Sequence, residues 1–188
     1  MLTRRTSIAA SLLVVAALTS CAYPAGFYVE PEPDPVAEGM VLTAPALDAA
    51  GYLPDWARGN VEQYCGDGDN KSPRLTWTGT PEGTESFVLL MTDPSYPSYD
   101  HWVVTGIPAD ATELPAAPDG AVSIGIVGTN SRGPGDYVGP CQPDNPYRYT
   151  LYALDTEIAG TPETTLDEAV ALMDGHVLAE AFVEAMRR

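Results

Sequence analysis

The stretch from residue 87 to residue 108 constrains the fold more than any other part of this sequence. It reads FVLLMTDPSYPSYDHWVVTGIP, and two apolar runs, 87–92 and 102–107, lie on either side of a short proline-containing turn. Apolar runs of this length separated by a turn are typical of paired antiparallel strands. Asp93 ends the first run and His101 precedes the second, so the pairing places a carboxylate and an imidazole at one sheet edge. Two such groups at a sheet edge indicate a binding site.

The same β pattern continues along the central part of the chain. Short runs rich in Val, Ile, Thr, Tyr and Trp recur between loops that carry Pro and Gly, which is typical of an antiparallel sandwich. These runs are residues 75–78, 87–92, 102–107, 121–127 and 147–154. In the run 147–154 both alternating faces carry apolar residues, which predicts a strand covered on both sides. A hydrophobic content of 45% over 188 residues is enough for one core.

The last thirty or so residues change to a helical period. Thr165 with Glu168 three positions later forms a capping-box pattern, which predicts a helix that runs through Met173 and ends at Gly175. A second helix is predicted from His176, because apolar residues beyond it fall on one stripe at helical spacing. The stripe consists of Val177, Leu178, Ala181, Phe182, Ala185 and Met186. The predicted fold class is therefore mainly β, an antiparallel sandwich with two C-terminal α-helices.

The N-terminus has the features of an exported lipoprotein. Arg4 and Arg5 precede an apolar run at 8–18, which has the length of the hydrophobic region of a secretory signal peptide and is too short to cross a bilayer as a mature helix. The run ends in Leu-Thr-Ser-Cys at 18–21, which resembles the bacterial lipobox, whose cysteine is diacylated and becomes the new N-terminus. We expect Cys21 to be lipidated. An ordinary signal peptide with a chance cysteine is the alternative.

The lipobox predicts a three-part organisation. Residues 1–20 are a lipoprotein signal peptide, and residues 21–39 comprise the acylated cysteine and a tether in which prolines alternate with acids. Residues 40–188 then form the globular domain. We expect the protein at the cell membrane, held by its lipid anchor on the extracytoplasmic face.

The charge of the chain excludes one class of partner. The formal net charge is −17, and from Cys21 onward seven basic residues face 26 acidic ones, a net charge of −19. Such a surface repels nucleic acid, so no nucleic-acid partner is expected. An anionic ligand would have to be held by local donors against this field.

Export would place the two remaining cysteines in an oxidising compartment. Cys65 and Cys141 lie in loop-like surroundings rich in Gly and Pro, and an oxidising compartment permits a disulfide between them. Two free buried thiols are the alternative. One cysteine pair and two histidines show no recognisable metal-ligand spacing, so neither a metal nor another cofactor is predicted.

Several motifs occur in an order that points to a known family. They are YCGDGDNKSPRLTW at 64–77, PEGT at 81–84 followed by Ser86-Phe87, Asp93-Pro94 with Pro97, His101-Trp102, YVGPCQP at 137–143, and GHVLA at 175–179. Together they resemble the phosphatidylethanolamine-binding protein family, and most closely its bacterial Raf-kinase-inhibitor-like branch, over roughly residues 41–186. The resemblance implies a β-sandwich with a small anion pocket at one end.

The resemblance also implies which residues form the pocket. Family members bind phosphoryl or similar anionic headgroups there, and the ligand-binding positions carried over are Asp93, Pro97, His101, Tyr137, Gly139 and Pro140. The chemistry of these residue types agrees. His101 supplies a donor or a positive charge, the Tyr137 hydroxyl donates, and the glycine-rich loop 133–139 can turn backbone N–H groups toward an oxyanion. Asp93 would orient His101 or loop N–H groups and raise the basicity of the imidazole.

Two positions depart from the family pattern. The family turn is usually Asp-Pro-Asp-x-Pro, and here Ser95 stands in place of the second acid. The family usually has His-Arg-Tyr where this chain has Tyr147-Arg148-Tyr149, so a second pocket histidine is missing. The pocket is therefore altered in charge and in shape.

The candidate residues leave several functions open. The first is a membrane-tethered binding module for a small anion or phospholipid headgroup, with a possible protein partner. The second is a hydrolase that uses His101 and Asp93, with Ser95, Ser98 or Ser131 as nucleophile, although no nucleophile-elbow motif occurs. The third is a structural envelope lipoprotein with a vestigial pocket. In purely structural terms, Asp93 would cap a turn, and His101 and Tyr137 would be core residues. Of these, binding without catalysis is the function predicted.

Overall fold

The structure, a computed structural model, describes residues 39–61, 65–117 and 122–188. The predicted signal peptide, Cys21 and nearly all of the tether lie outside these ranges. Within them the chain forms ten strands, one α-helix and a short 3₁₀ turn at Asp55–Ala57. No helix in the described ranges combines the length and hydropathy needed to cross a membrane.

Five antiparallel strands make up the larger sheet. They are β3 (Ser86–Thr92), β4 (Asp100–Pro108), β6 (Ile126–Val127), β9 (Pro146–Leu154) and β10 (Val177–Met186). Their spatial order is β10-β9-β3-β4-β6, so the predicted β3–β4 hairpin lies in the middle of the sheet. In the run predicted at 121–127 only the last two residues are a strand, and Ala121 lies outside the described residues.

A smaller sheet faces the larger one across the core. It contains β1 (Val41–Thr43), β2 (Leu75–Thr78) and β5 (Glu113–Leu114), and a separate two-stranded ribbon pairs β7 (Thr129–Asn130) with β8 (Gly133–Pro134). The rings of Trp77 in β2 and Phe87 in β3 meet at 5.3 Å in this core. The prediction of a mainly β, antiparallel sandwich is therefore confirmed.

The alternation of β9 explains how the core is filled. Tyr147, Tyr149, Leu151 and Ala153 are buried on the face toward the smaller sheet. On the opposite face, a second apolar cluster joins Val88 and Leu90 of β3 to the α-helix. Tyr152 and Leu154 of β9 take part in that cluster, so apolar residues cover the C-terminal part of β9 on both faces.

Only one of the two predicted helices forms. Helix α1 is Leu166–Met173, and its capping box is present: Glu168 N–H donates to the Thr165 hydroxyl, and Thr165 N–H donates to the Glu168 carboxylate. The second predicted helix is wrong, because Val177–Met186 is strand β10 and pairs with β9 over its whole length. Alternate alanines of this segment face the core, and pairing with β9 overrides the helical preference of an Ala- and Glu-rich sequence.

Candidate functional site

The β3–β4 hairpin brings the two residues first singled out in the sequence to one sheet edge. Thr92 pairs with Asp100, so Asp93 and His101 lie next to the last paired positions of the two strands. Both side chains are buried, each with only 3% of its surface exposed. Pro97 lies in the connecting turn and is exposed. The structure thus places Asp93 and His101 together and Pro97 out on the turn.

The imidazole of His101 is oriented by the backbone of a distant loop. Its Nδ1 lies 2.8 Å from the carbonyl oxygen of Val138, and the Val138 N–H donates in return to the His101 carbonyl oxygen at 3.1 Å. Because a carbonyl oxygen only accepts, Nδ1 carries the proton. Within the described residues Nε2 has no hydrogen-bond partner. The ring lies against Tyr99 and Tyr147, with centroid distances of 5.0 and 5.1 Å.

The charge state of His101 follows from its surroundings. Burial lowers the pKa of His101, and this effect exceeds the raising effects of the Val138 carbonyl and of the Asp93 charge. The neutral imidazole is therefore the prevailing form at pH 7, with a lone pair on Nε2. His101 at neutral pH accepts a hydrogen bond through Nε2, and it becomes a cation only by taking up a proton.

The Asp93 carboxylate organises loops. One oxygen accepts the Ser95 N–H at 2.8 Å, and the other accepts the Asn145 side-chain amide at 3.0 Å. The described hydrogen bonds include none between Asp93 and His101, whose ring is held by Val138 instead. Asp93 therefore influences the imidazole through its charge and not through a hydrogen bond. Its bond to the Ser95 N–H lies within the hairpin turn, and its bond to Asn145 joins that turn to the segment before β9.

Tyr137 lies in the core. It is fully buried, its hydroxyl donates to the Ala57 carbonyl oxygen at 3.2 Å, and it shares a 2.9 Å hydrogen bond with the Tyr149 hydroxyl. Burial raises the pKa of Tyr137 well above its usual range. Its ring meets Trp102 edge to face at 5.3 Å. The structure therefore places this hydroxyl where it anchors the loop that carries Val138.

The loop after Tyr137 is held by Asn70, a residue that the sequence analysis did not single out. The Asn70 amide donates to the Tyr137 carbonyl oxygen at 2.6 Å and accepts the Gly139 N–H at 2.9 Å, as a neighbouring strand would. A Cβ on Gly139 would lie 2.3 Å from the Ala57 carbonyl oxygen, so only glycine fits. The Gly139 N–H is thus engaged, and Pro140, buried beside it, has none to offer.

The disulfide between Cys65 and Cys141 closes this side of the site. It joins two loops separated by 76 residues. The predicted disulfide is therefore confirmed, and the alternative of two free thiols is wrong. Gly59 lies behind the bond, since a Cβ there would be 2.9 Å from both sulfur atoms. The disulfide holds the 137–143 loop against the loop that carries Asn70.

Tyr147 is the main polar group of the site that the sequence analysis missed. Its hydroxyl oxygen accepts the N–H of Cys141 at 3.1 Å and of Gln142 at 2.8 Å. The Gln142 carbonyl, at 3.4 Å, is the one described acceptor for its own proton. Two donors on one oxygen polarise the O–H bond, which makes the hydroxyl a stronger donor. The signal in the sequence was the tyrosine in place of the family's histidine.

The pKa of Tyr147 reports the charges around it. Burial raises the pKa of Tyr147, the Gln142 and Cys141 N–H groups lower it, the Asp93 charge raises it and the Arg187 guanidinium lowers it. Since the net effect is upward, the hydroxyl keeps its proton at neutral pH. The Tyr147 side chain is fully buried, and its ring lies edge-on to the His101 imidazole with ring centroids 5.1 Å apart.

The described residues offer little for hydrolytic or metal chemistry. Within them no group of three or more His, Cys, Asp or Glu side chains lies close enough to hold a metal ion. No described serine hydroxyl is hydrogen-bonded to His101, and Ser131 Oγ accepts the Asp100 N–H instead. The arrangement of a buried imidazole beside a polarised phenol suits binding of a small polar ligand.

Sequence and structure comparisons agree with this fold. Residues 43–188 match the sequence model of the family described as phosphatidylethanolamine-binding protein. A UPF0098 protein of Methanothermobacter thermautotrophicus is 41% identical over 153 residues, which are 76% of this chain and 94% of that protein. The Escherichia coli UPF0098 protein YbhB is 35% identical over 136 residues, 64% of this chain and 83% of YbhB.

A solved structure extends the comparison to three dimensions. The crystal structure of Escherichia coli YbcL, described as a new member of the mammalian PEBP family, superposes with a TM-score of 0.70 at 25% identity. The superposition covers 79% of this chain and 98% of YbcL. The fold similarity therefore extends over nearly the whole of that protein.

Proposed function

This chain belongs to the phosphatidylethanolamine-binding protein family, and on that basis we propose that it is a membrane-tethered, extracytoplasmic binding module for a small phosphoryl or headgroup-like anion. The observation that supports this most is the pairing of His101 with Tyr147 at one sheet edge. Nε2 of the imidazole and the polarised hydroxyl are directed by backbone groups, so their orientation exists before a ligand arrives.

The protonation of His101 sets the chemistry of this binding. A neutral imidazole offers only a lone pair at Nε2, which repels an oxyanion. Binding of the anion therefore brings a proton to Nε2, either from solvent or on the ligand itself. The Tyr147 hydroxyl donates a second hydrogen bond. Affinity for the anion should rise as the pH falls toward the pKa of His101.

The cellular location in this proposal has separate support. The Cys65–Cys141 disulfide persists in oxidising compartments, and such compartments lie outside the bacterial cytoplasm. The lipobox-like sequence ending at Cys21 supplies the anchor. Replacement of Cys21 by Ser should abolish acylation, and the protein should move from the membrane fraction to the soluble fraction. Retention of C21S in the membrane fraction would contradict lipid anchoring.

Calorimetry tests the binding function. The full chain in detergent is titrated with inorganic phosphate and with glycerophosphoethanolamine, in buffers of different ionisation enthalpy so that proton uptake is measured directly. His101→Asn should weaken binding about tenfold or more, because it removes the donor at Nε2. His176→Asn is the matched control, since His176 lies exposed beside Asp155. If neither phosphate nor glycerophosphoethanolamine at millimolar concentration gives a heat of binding with wild type, the result would favour the alternative of a vestigial pocket.

A screen of ester substrates addresses the hydrolase alternative. Wild type and Ser95→Ala should be equally inert, because the described residues include no serine hydroxyl hydrogen-bonded to His101. If wild type hydrolyses an ester and Ser95→Ala or His101→Asn abolishes that hydrolysis, the assignment as a binding protein is overturned. A protein partner for the module stays a prediction of the sequence analysis.

A further inference from the structure

Arginine 187 differs from the other basic residues in this strongly acidic chain. Seven basic residues lie in the described ranges, and five of them form an ion pair with a carboxylate there: Arg58, Lys71, Arg74, Arg148 and Arg188. Of the other two, Arg132 donates to the side-chain oxygen of Asn60, and Arg187 has no carboxylate partner among the described residues. It is also half-buried, and its Nε is a buried atom without a hydrogen-bond partner. A desolvated guanidinium nitrogen without a partner requires an explanation, because burial of an unsatisfied charged group is costly.

The position of Arg187 supplies a functional explanation. It directly follows β10, two residues beyond Ala185, which pairs with Tyr147 across the sheet. Its carbonyl oxygen accepts the Asp144 N–H at 3.1 Å, which ties it to the loop before β9. A Cβ built on Gly66 would lie 3.8 Å from Nη2, so the guanidinium lies beside the residue that follows Cys65. Arg187 therefore borders the disulfide and Tyr147.

The electrostatics agree with this position. The Arg187 charge acts on the Tyr147 hydroxyl and lowers its pKa, against the larger raising effect of burial, while the Asp93 charge raises it. Asp93 already has both oxygens engaged, by Ser95 and by Asn145. The guanidinium thus lies within electrostatic range of the Tyr147 hydroxyl, and the nearby carboxylate is held by other donors.

We propose that Arg187 is the permanent cation of this site and that it binds the phosphoryl oxygens of the ligand alongside Tyr147 and His101. The proposal rests on the proposed function and adds to it the source of positive charge. His101 is neutral at pH 7 and becomes a cation only by taking up a proton, whereas arginine is a cation without one. A guanidinium offers a planar pair of N–H donors that match two oxygens of a tetrahedral phosphoryl group. Inorganic phosphate and a phosphodiester headgroup share this chemistry.

The test compares neighbouring arginines. Arg187→Gln and Arg188→Gln remove the same charge one residue apart, but Arg188 pairs with Asp48 and lies over the Tyr52 ring. Each variant of the full chain in detergent is titrated calorimetrically with inorganic phosphate and, separately, with glycerophosphoethanolamine. We expect R187Q to weaken binding about tenfold or more, R188Q to stay within about twofold, and R187K to fall between them. Weakening in both titrations indicates the shared phosphoryl group, and weakening in one identifies the source of the ligand.

The outcomes separate this proposal from the proposed function. Wild-type affinity in R187Q together with loss of affinity in H101N would overturn the role of Arg187 and leave the anion site intact. A wild-type chain that binds neither compound would overturn both. If R187Q does not fold, the ¹⁵Nε signal of Arg187 in wild type, assigned by its loss in R187K, replaces the comparison. Movement of that signal on addition of phosphate supports the contact, and an unchanged signal overturns it.

Discussion

The imidazole of His101 and the backbone of Val138 hold each other through two hydrogen bonds, Nδ1 to the carbonyl oxygen at 2.8 Å and the Val138 N–H to the His101 carbonyl oxygen at 3.1 Å. The two residues are 37 positions apart in the chain. This pair determines the tautomer of the ring and therefore the chemistry that Nε2 presents. It also joins the start of β4 to the loop that contains Gly139 and Cys141.

The His101–Val138 bond can be separated from the function of Nε2 by two substitutions. Asparagine places its amide nitrogen near the position of Nδ1, so H101N keeps the bond to Val138, whereas H101A leaves a buried carbonyl oxygen without a donor. We expect H101A to lower the free energy of unfolding by about 1–3 kcal/mol more than H101N does. Urea denaturation measures both. Equal losses would show that the bond to Val138 contributes nothing specific.

The lowered pKa of His101 makes stability depend on pH. The unfolded chain has the ordinary histidine pKa of 6.5, and burial lowers the pKa of His101 in the folded protein. Between the two values the unfolded state binds more protons, so the free energy of unfolding falls as the pH falls through 6.5 and levels off below the folded pKa. Urea midpoints from pH 8 to 5.5 should show this decline. It should be absent from H101N and present in H176N, and a decline in H101N equal to that of wild type would contradict the assignment.

The hydroxyl of Tyr147 should stabilise the loop whose backbone N–H groups donate to it. Y147F leaves the N–H groups of Cys141 and Gln142 without their acceptor, which should lower the free energy of unfolding by about 1–2 kcal/mol. Amide hydrogen exchange measured by NMR should become faster at these two positions. Y96F, which changes a tyrosine that is 64% exposed, is the control and should leave both measurements unchanged. Unaltered exchange in Y147F would exclude the hydroxyl as the acceptor that protects these amides.

The Cys65–Cys141 disulfide should contribute strongly to stability, because it constrains a 76-residue separation in the unfolded chain. Its loss is expected to lower the free energy of unfolding by about 2–5 kcal/mol. Denaturation of wild type with and without dithiothreitol measures this difference. In a C65A/C141A variant dithiothreitol should have no further effect. Thiol titration first confirms that dithiothreitol has broken the bond. If the denaturation midpoint of wild type then stays unchanged, the disulfide does not contribute to stability.

Gly139 should tolerate no side chain, for a steric reason. A Cβ there would lie 2.3 Å from the Ala57 carbonyl oxygen and 2.6 Å from the Gly59 nitrogen, both of which are backbone atoms. G139A should therefore lower the free energy of unfolding by about 3 kcal/mol or more. G135A is the matched control, because Gly135 has φ +94° and open space, so alanine there costs about 1–2 kcal/mol of backbone strain alone. Similar losses in both variants would show that the loop moves to admit the methyl group.

Local patterns were enough for much of the fold. The runs 75–78, 87–92, 102–107 and 147–154 all form strands, because alternation and turn residues act over a few positions. Helix α1 begins where the Thr165–Glu168 capping box predicts, since both partners lie within one turn. The segment 177–186 has no such local marker. Its alanines and glutamates favour a helix, and only pairing with β9 overrides that preference and selects the strand.

By itself, the sequence determined the four strands β2, β3, β4 and β9, the hairpin that brings Asp93 and His101 to one edge, and the cysteine pair available for a disulfide. The tertiary structure decided what each polar atom contacts. Val138 orients His101, Asn70 holds the Gly139 loop from a position 69 residues earlier, and Tyr137 is directed into the core. The physical reason is range: a side chain's period along the strand is a local property, whereas its hydrogen-bond partner, its burial and its pKa depend on loops that meet only after the sheets have packed.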